Sequence, residues 1–139
     1  MDDEALRSLL NQVKTIAVVG HSDKPSRPSY QIAQYLRQVG YQVHPVNPAV
    51  EQIADQPSYA SLSAVPAPIE LVDVFRRPEA VPEIVEAAIA VGAKALWLQV
   101  GVVHPEATAR ARAAGLKVVV DRCIMIEHQR LGLGGRNKI

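Results

Sequence analysis

Short apolar runs separated by helical stripes set the rhythm of this chain. Four segments are dense in β-branched and other apolar residues: TIAVVG over 15–20, IELVDVF over 69–75, AKALWLQVG over 93–101 and LKVVVD over 116–121. A weaker fifth, YQVHPVN, covers 41–47. Near-continuous apolar runs of this length suit strands buried on both faces, as in a parallel sheet covered by helices. Between them the apolar period changes. Ile32, Leu36 and Val39 form one stripe, Ile84, Val85, Ala88 and Val91 a second, and Leu6, Leu9, Leu10 and Val13 a third ahead of the first strand. Each predicts a helix laying one face on the sheet. Gly40, Gly92 and Gly115 each stand between a helix and the next strand, where a helix end takes a left-handed residue.

The stretch 48–66, interrupted by Pro48, Pro57 and Pro66, is expected to hold one short helix around Tyr59–Leu62 and otherwise loop. Pro82 predicts that the third sheet-covering helix starts near it. A short helix is expected at 124–130, followed by a frayed tail over 130–139 in RLGLGGRNKI. The alternation predicts an α/β protein with a three-layer, Rossmann-like doubly wound fold. Its parallel sheet is expected to have five strands in the order 3-2-1-4-5 with right-handed crossovers.

Length and charge narrow this picture. At 139 residues the chain is expected to form one domain over 1–139. A net charge of +1 gives no general attraction to nucleic acid or to an anionic membrane, so anion binding must come from local clusters. The 4% aromatic content argues against base stacking on single-stranded nucleic acid. No apolar run approaches the length of a membrane span, and MDDEALRSLL is acidic where a signal peptide is basic, so the expected location is cytoplasmic. Cys123, the one cysteine, excludes an internal disulfide and a cysteine-based zinc site.

In such sheets ligands sit beyond the carboxyl ends of the strands, at the switch point. The first strand is followed there by Gly20, His21, Ser22, Lys24, Arg27, Ser29 and Tyr30, the second by Asn47 and Pro48. Phe75, Arg76, Arg77 and Pro78 follow the third, Gln99, Val100 and Gly101 the fourth, and Asp121, Arg122 and Cys123 the fifth. Lys24, Arg27, Arg76 and Arg77 thus meet on one rim. Any one of them alone reads equally as a solvated loop residue. Together, beside the positive end of the first covering helix, they read as an anion site, with Ser26 or Ser29 capping the helix and donating to a phosphate. The loop AVVGHSDKPSRPSYQ offers only Gly20 of a dinucleotide fingerprint, and the second strand ends in PVNP without an acid for a ribose, which disfavours NAD. No Gly-Lys-Ser/Thr sequence exists for a P-loop.

The segments AVVGHSDKPSRPSYQIAQYL, GYQVHPVNP, DVFRRPEAVPEIVEAAIAVGAKALWLQVGV and VVVDRCIMIEH together resemble stand-alone CoA-binding proteins related to the N-terminal domain of the succinyl-CoA synthetase α subunit. The similarity covers roughly residues 5–130. It implies coenzyme A as cofactor, its ADP part over the first turn and its pantetheine across the ends of the third and fourth strands. Residue by residue, it implies a phosphate loop of Gly20, Ser22, Lys24, Arg27, Ser29 and Tyr30, with Asn47 and Pro48 toward adenine and ribose. Phe75, Arg76 and Pro78 match one strand exit and Gln99 to Gly101 another, where the synthetase has Thr-Glu-Gly. The sequence departs from the synthetase in lacking its closely spaced glycines and its second domain with the phosphorylated catalytic histidine, so that chemistry does not transfer.

Among the histidines, His104 and His128 read as structural or exposed, since no metal-ligand spacing connects them. His21, directly after Gly20, reads either as a donor to a phosphate or as a plain loop residue. Cys123 reads first as a buried, inert thiol; facing the pantetheine end, it would exchange disulfides with the cofactor. Asp73 reads as a buried, hydrogen-bonded residue. No nucleophile, base and orienting acid stand at motif spacing. The expectation is a non-catalytic module for coenzyme A or an acyl-CoA, with an NADP-dependent reductase or an acyl-CoA-utilising enzyme as the alternative. The basic rim suits the 3′-phosphate of CoA and the 2′-phosphate of NADP alike.

Overall fold

A computed structural model describes residues 1–66 and 68–133. Its elements are α1 (Asp3–Gln12), β1 (Thr15–Val19), α2 (Pro28–Gln38), β2 (Gln42–Val46), β3 (Gln52–Ile53), β4 (Gln56–Pro57), β5 (Leu71–Val74), α3 (Val81–Ala90), β6 (Ala95–Leu98), α4 (Pro105–Ala113), β7 (Lys117–Val119) and α5 (Ile124–Arg130). Turns of 3-10 helix lie at Leu62–Ala64 and Pro78–Ala80. The protein is thus an α/β fold of the Rossmann-like kind, its main sheet all parallel. Among the described residues, no helix is long and apolar enough to cross a membrane.

The strand order corrects the sequence expectation. The sheet runs β2-β1-β5-β6-β7, so the third long strand lies beside β1 rather than outside β2. Pro45 supplies the reason. A proline cannot donate to a ladder and is confined to sheet edges. Pro45 pairs with Val18 on one side, and its carbonyl points to the other, where it accepts from Tyr59 N–H at 3.0 Å. No full strand fits beyond it, so the chain returns past β1 to build the rest of the sheet.

That return crosses the face opposite α2. One side of the sheet packs Ile16, Val18, Leu71 and Trp97 against Leu6 and Leu10 of α1, Ile32 and Leu36 of α2 and Ile124 of α5. The other packs Ala17, Val72, Leu96 and Leu98 against Leu62, Val81 and Val85 of α3 and Ala111 of α4. Reversing the direction of travel while keeping right-handed crossovers requires this change of face.

Three further expectations need adjustment. The hairpin β3–β4 was not legible, because its turn residues Ala54 and Asp55 hold φ of 51° and 62° without the glycine that usually signals such a turn. The short helix expected at Tyr59–Leu62 is the 3-10 turn at Leu62–Ala64, and Tyr59 instead bridges to Val46. The tail does not fray from 130: Leu131 and Leu133 are buried against the α1, α2 and α5 side, while residues 134–139 lie outside the described residues.

Leu36 is fully buried in this layer. Replacing it with Ala removes the packing and leaves a cavity, so Leu36→Ala is expected to lower unfolding free energy by about 2–5 kcal/mol in urea titration.

Candidate functional site

β1 and β5 are neighbours, yet the chain leaves them in opposite directions, which opens a crevice beyond their carboxyl ends. Gly20 turns the backbone there with φ of 85°. A Cβ on it would lie 2.3 Å from the Phe75 carbonyl oxygen and 3.0 Å from Cδ of Arg76. The first turn therefore passes directly over the exit of β5, and only glycine allows the approach.

The loop after Gly20 is held by its own serines. Ser29 Oγ accepts from Ser22 N–H at 2.9 Å, Ser22 Oγ accepts from Lys24 N–H at 3.0 Å, and Lys24 C=O accepts from Arg27 N–H at 3.0 Å. Arg27 is the N-cap of α2 without a side-chain cap, and Pro28 takes the first helical position, so neither Ser26 nor Ser29 caps the helix. Pro28 has no N–H and Gln31 N–H donates to Arg27 C=O at 3.1 Å, so the free first-turn N–H groups of α2 are those of Ser29 and Tyr30. A hollow of about 360 Å³ sits over this turn, lined by Gly20, Ser22, Lys24, Arg27, Pro28, Ser29 and Phe75.

The exit of β5 joins this hollow to two others. Phe75 and Pro28 also line a hollow of about 620 Å³ formed with Ile32, Arg76, Gln99 and Val102. Arg77, Pro78 and Gly101 stand in the same wall. Arg76 further lines a third hollow, of about 330 Å³, with Val46, Pro48, Leu62 and Ile84. Of the basic residues expected on one rim, Lys24 and Arg27 line the hollow over α2, and Arg76 and Arg77 line the adjoining hollow that shares Pro28 and Phe75 with it. Among the described residues, the ion pairs use Lys94, Arg110, Arg122 and Arg130, leaving Lys24, Arg27, Arg76 and Arg77 without a carboxylate partner.

Other residues singled out by sequence shape the site from behind. Asn47 commits its carboxamide to the backbone, donating to His21 C=O and accepting from Ala49 N–H, both at 2.9 Å, and so ties the first two strand exits together. His21 is fully buried, with Nδ1 2.7 Å from Ser22 C=O and its ring edge-on to Tyr30. Burial holds its pKa down to about 4, the Ser22 carbonyl opposing and Arg37 adding to the effect. The reading of His21 as a phosphate donor is therefore corrected, because its ring faces the interior. His104 caps α4, Nδ1 accepting from Ala107 N–H, and His128 is buried beside the Tyr35 hydroxyl, so both are structural.

Asp73 is fully buried under the 620 Å³ hollow's Gln99, whose Nε2 donates to Asp73 Oδ1 at 2.6 Å. Asp73 Oδ2 has no hydrogen-bond partner among the described residues. Burial drives its pKa up to about 7, with the Gln99 bond opposing.

Cys123 departs from the fully buried reading: it is half-buried, packed against the α1, α2 and α5 side, and lines the 620 Å³ hollow. Sequence reasoning read Ile32 only as part of a core-facing helical stripe and did not single out Val102, yet both line this hollow. Asp121, expected only as part of the fifth strand's exit, holds φ of 60° without being glycine and accepts from Gly101 N–H at 2.7 Å. No local sequence signal announces that strained turn.

The family described as a CoA binding domain matches residues 14–129. YneT, an uncharacterized protein of Bacillus subtilis (strain 168), is 35% identical over 123 residues, which cover 88% of this chain and 91% of YneT. A hypothetical protein from Pyrococcus horikoshii OT3 superposes with a TM-score of 0.92 at 43% identity, covering 94% of this chain and 92% of its own. The acetate–CoA ligase [ADP-forming] II of Archaeoglobus fulgidus is 29% identical over 73 residues, 51% of this chain but 11% of the ligase.

Two outcomes follow from the geometry. Gly20→Ala places a methyl group against the Phe75 carbonyl in a left-handed conformation, and should cost on the order of 1–3 kcal/mol of stability by urea titration. Asp73 binds its proton more tightly folded than unfolded, so its contribution is complete below its ordinary 3.8 and is lost as pH rises to about 7. The stability of Asp73→Asn relative to the natural protein should therefore rise across that window and level off above it, as read from unfolding at a series of pH values.

Proposed function

Since the chain belongs to the CoA binding domain family, we propose that it holds coenzyme A, free or acylated, at the carboxyl-terminal edge of its sheet, as a single cytoplasmic binding domain without catalysis of its own. The observation that carries this reading is the meeting of three hollows at Phe75 and Arg76, with four unpaired cations on their rim. The diphosphate lies over the first turn of α2, where Lys24, Arg27, the Ser29 hydroxyl and the helix N-terminus meet it. The adenosine end takes the hollow beside Pro48 and Leu62. The pantetheine arm enters the larger hollow past Phe75, and Arg76, which borders both of these spaces, faces the phosphates between them. His21 and Asn47 hold the loop in shape without touching the ligand.

The apolar wall of the larger hollow, formed by Ile32, Phe75 and Val102, favours this ligand over NADP. A thioester arm is at home there, whereas an oxidised nicotinamide would bring a positive charge beside Arg76 and Arg77.

Thermal shift with CoA, dephospho-CoA, NADP and NAD tests the reading. CoA at a hundred times its dissociation constant should add about 2.7 kcal/mol of stability, and dephospho-CoA should need a higher concentration for the same effect. Arg76→Ala should weaken CoA binding roughly tenfold to hundredfold in calorimetry, as expected for loss of a charge-assisted hydrogen bond. Stabilisation by NADP and not by CoA would overturn the proposal.

A further inference from the structure

The larger hollow holds two polar features that CoA binding does not by itself require. The first is Cys123, the chain's one thiol, which lines it. The second is Gln99, only 4% exposed, which lines the same space. Its Nε2 is committed to Asp73, while its Oε1 has no partner among the described residues and is not fully enclosed, on a side chain that lines the hollow. A carbonyl held in an otherwise apolar wall calls for an N–H donor from a ligand. A chain bearing amide groups and ending in sulfur satisfies both features at once.

The backbone around Cys123 is fixed accordingly. Trp97, fully buried in β6, donates from Nε1 to Arg122 C=O at 2.8 Å, and Asp121, strained at φ of 60°, accepts from Gly101 N–H. These bonds clamp the loop carrying Cys123 to the loop that follows Gln99. Arg122 turns its guanidinium to Glu127 at 3.1 Å, away from a role as ligand cation.

Resting on the CoA reading, we infer that Cys123 is a covalent docking point for the thiol end of the bound arm, accepting it as a mixed disulfide. The co-reactant is the disulfide form of CoA. The Cys123 thiol releases its proton to solvent, and Sγ attacks the nearer ligand sulfur. An Sγ–S bond forms as the ligand S–S bond breaks, and the second CoA leaves as a thiolate with the electron pair and takes up a proton. Cys123 is oxidised and one CoA is reduced, so the exchange balances. Binding of the nucleotide end holds the ligand sulfur beside Sγ and gives this disulfide an advantage over others that lack the anchor.

The test incubates the full chain with CoA disulfide or with glutathione disulfide and follows intact mass and the modified peptide. In parallel, reduced CoA is tested by thermal shift on the natural protein and on Cys123→Ser. The expected result is one CoA on Cys123, released by dithiothreitol and formed at least ~10-fold faster than the glutathione adduct, with reduced CoA stabilising both proteins. An absent adduct, or equal rates for the two disulfides, while reduced CoA still stabilises both proteins, overturns the covalent docking and leaves the CoA reading standing. Failure of reduced CoA to stabilise either protein overturns the CoA reading and this inference with it.

Discussion

The close passage of Gly20 over the Phe75 carbonyl is the constraint on which the site depends. It is possible only because β1 and β5 are direct neighbours and because the chain reverses direction between them. With that contact made, the loop 21–28 is laid across the exit of β5, and cations far apart in sequence arrive at one rim. A side chain at residue 20 would push the two exits apart and separate the hollow over α2 from the hollow beside Gln99.

The hydrogen-bond network behind this contact explains why the loop needs few glycines. In a glycine-rich phosphate loop the backbone bends freely to follow its ligand. Here Pro25 and Pro28 restrict it, and Ser22, Ser29, Asn47 and the buried His21 fasten it from within. A loop so fastened loses little further freedom when a ligand arrives, which favours binding.

Much of this was legible in the sequence, because it follows from periodicity. The apolar runs marked the five long strands and the stripes marked α1, α2 and α3, while α4 was signalled only by the glycine that follows it and α5 was expected at 124–130 as observed. The rim of Lys24, Arg27, Arg76 and Arg77 was readable from the rule that strand exits converge. What escaped depends on contacts across the fold. The strand order turned on Pro45, whose edge preference is present in YQVHPVN but did not enter the expected winding. The role of His21 turned on which way its ring points, and the incomplete burial of Cys123 on how its loop lies against the hollow. Neither leaves a local pattern.

The pairing around Tyr59 has a consequence for how molecules of this protein meet. Its N–H bonds Pro45 C=O and its C=O accepts from Asn47 N–H, so the open flank of β2 is occupied by the chain's own backbone. Pro45 offers no donor there in any case. A strand from another copy finds no template on that flank, and any growth of the sheet from one molecule to the next is confined to the far margin at β7.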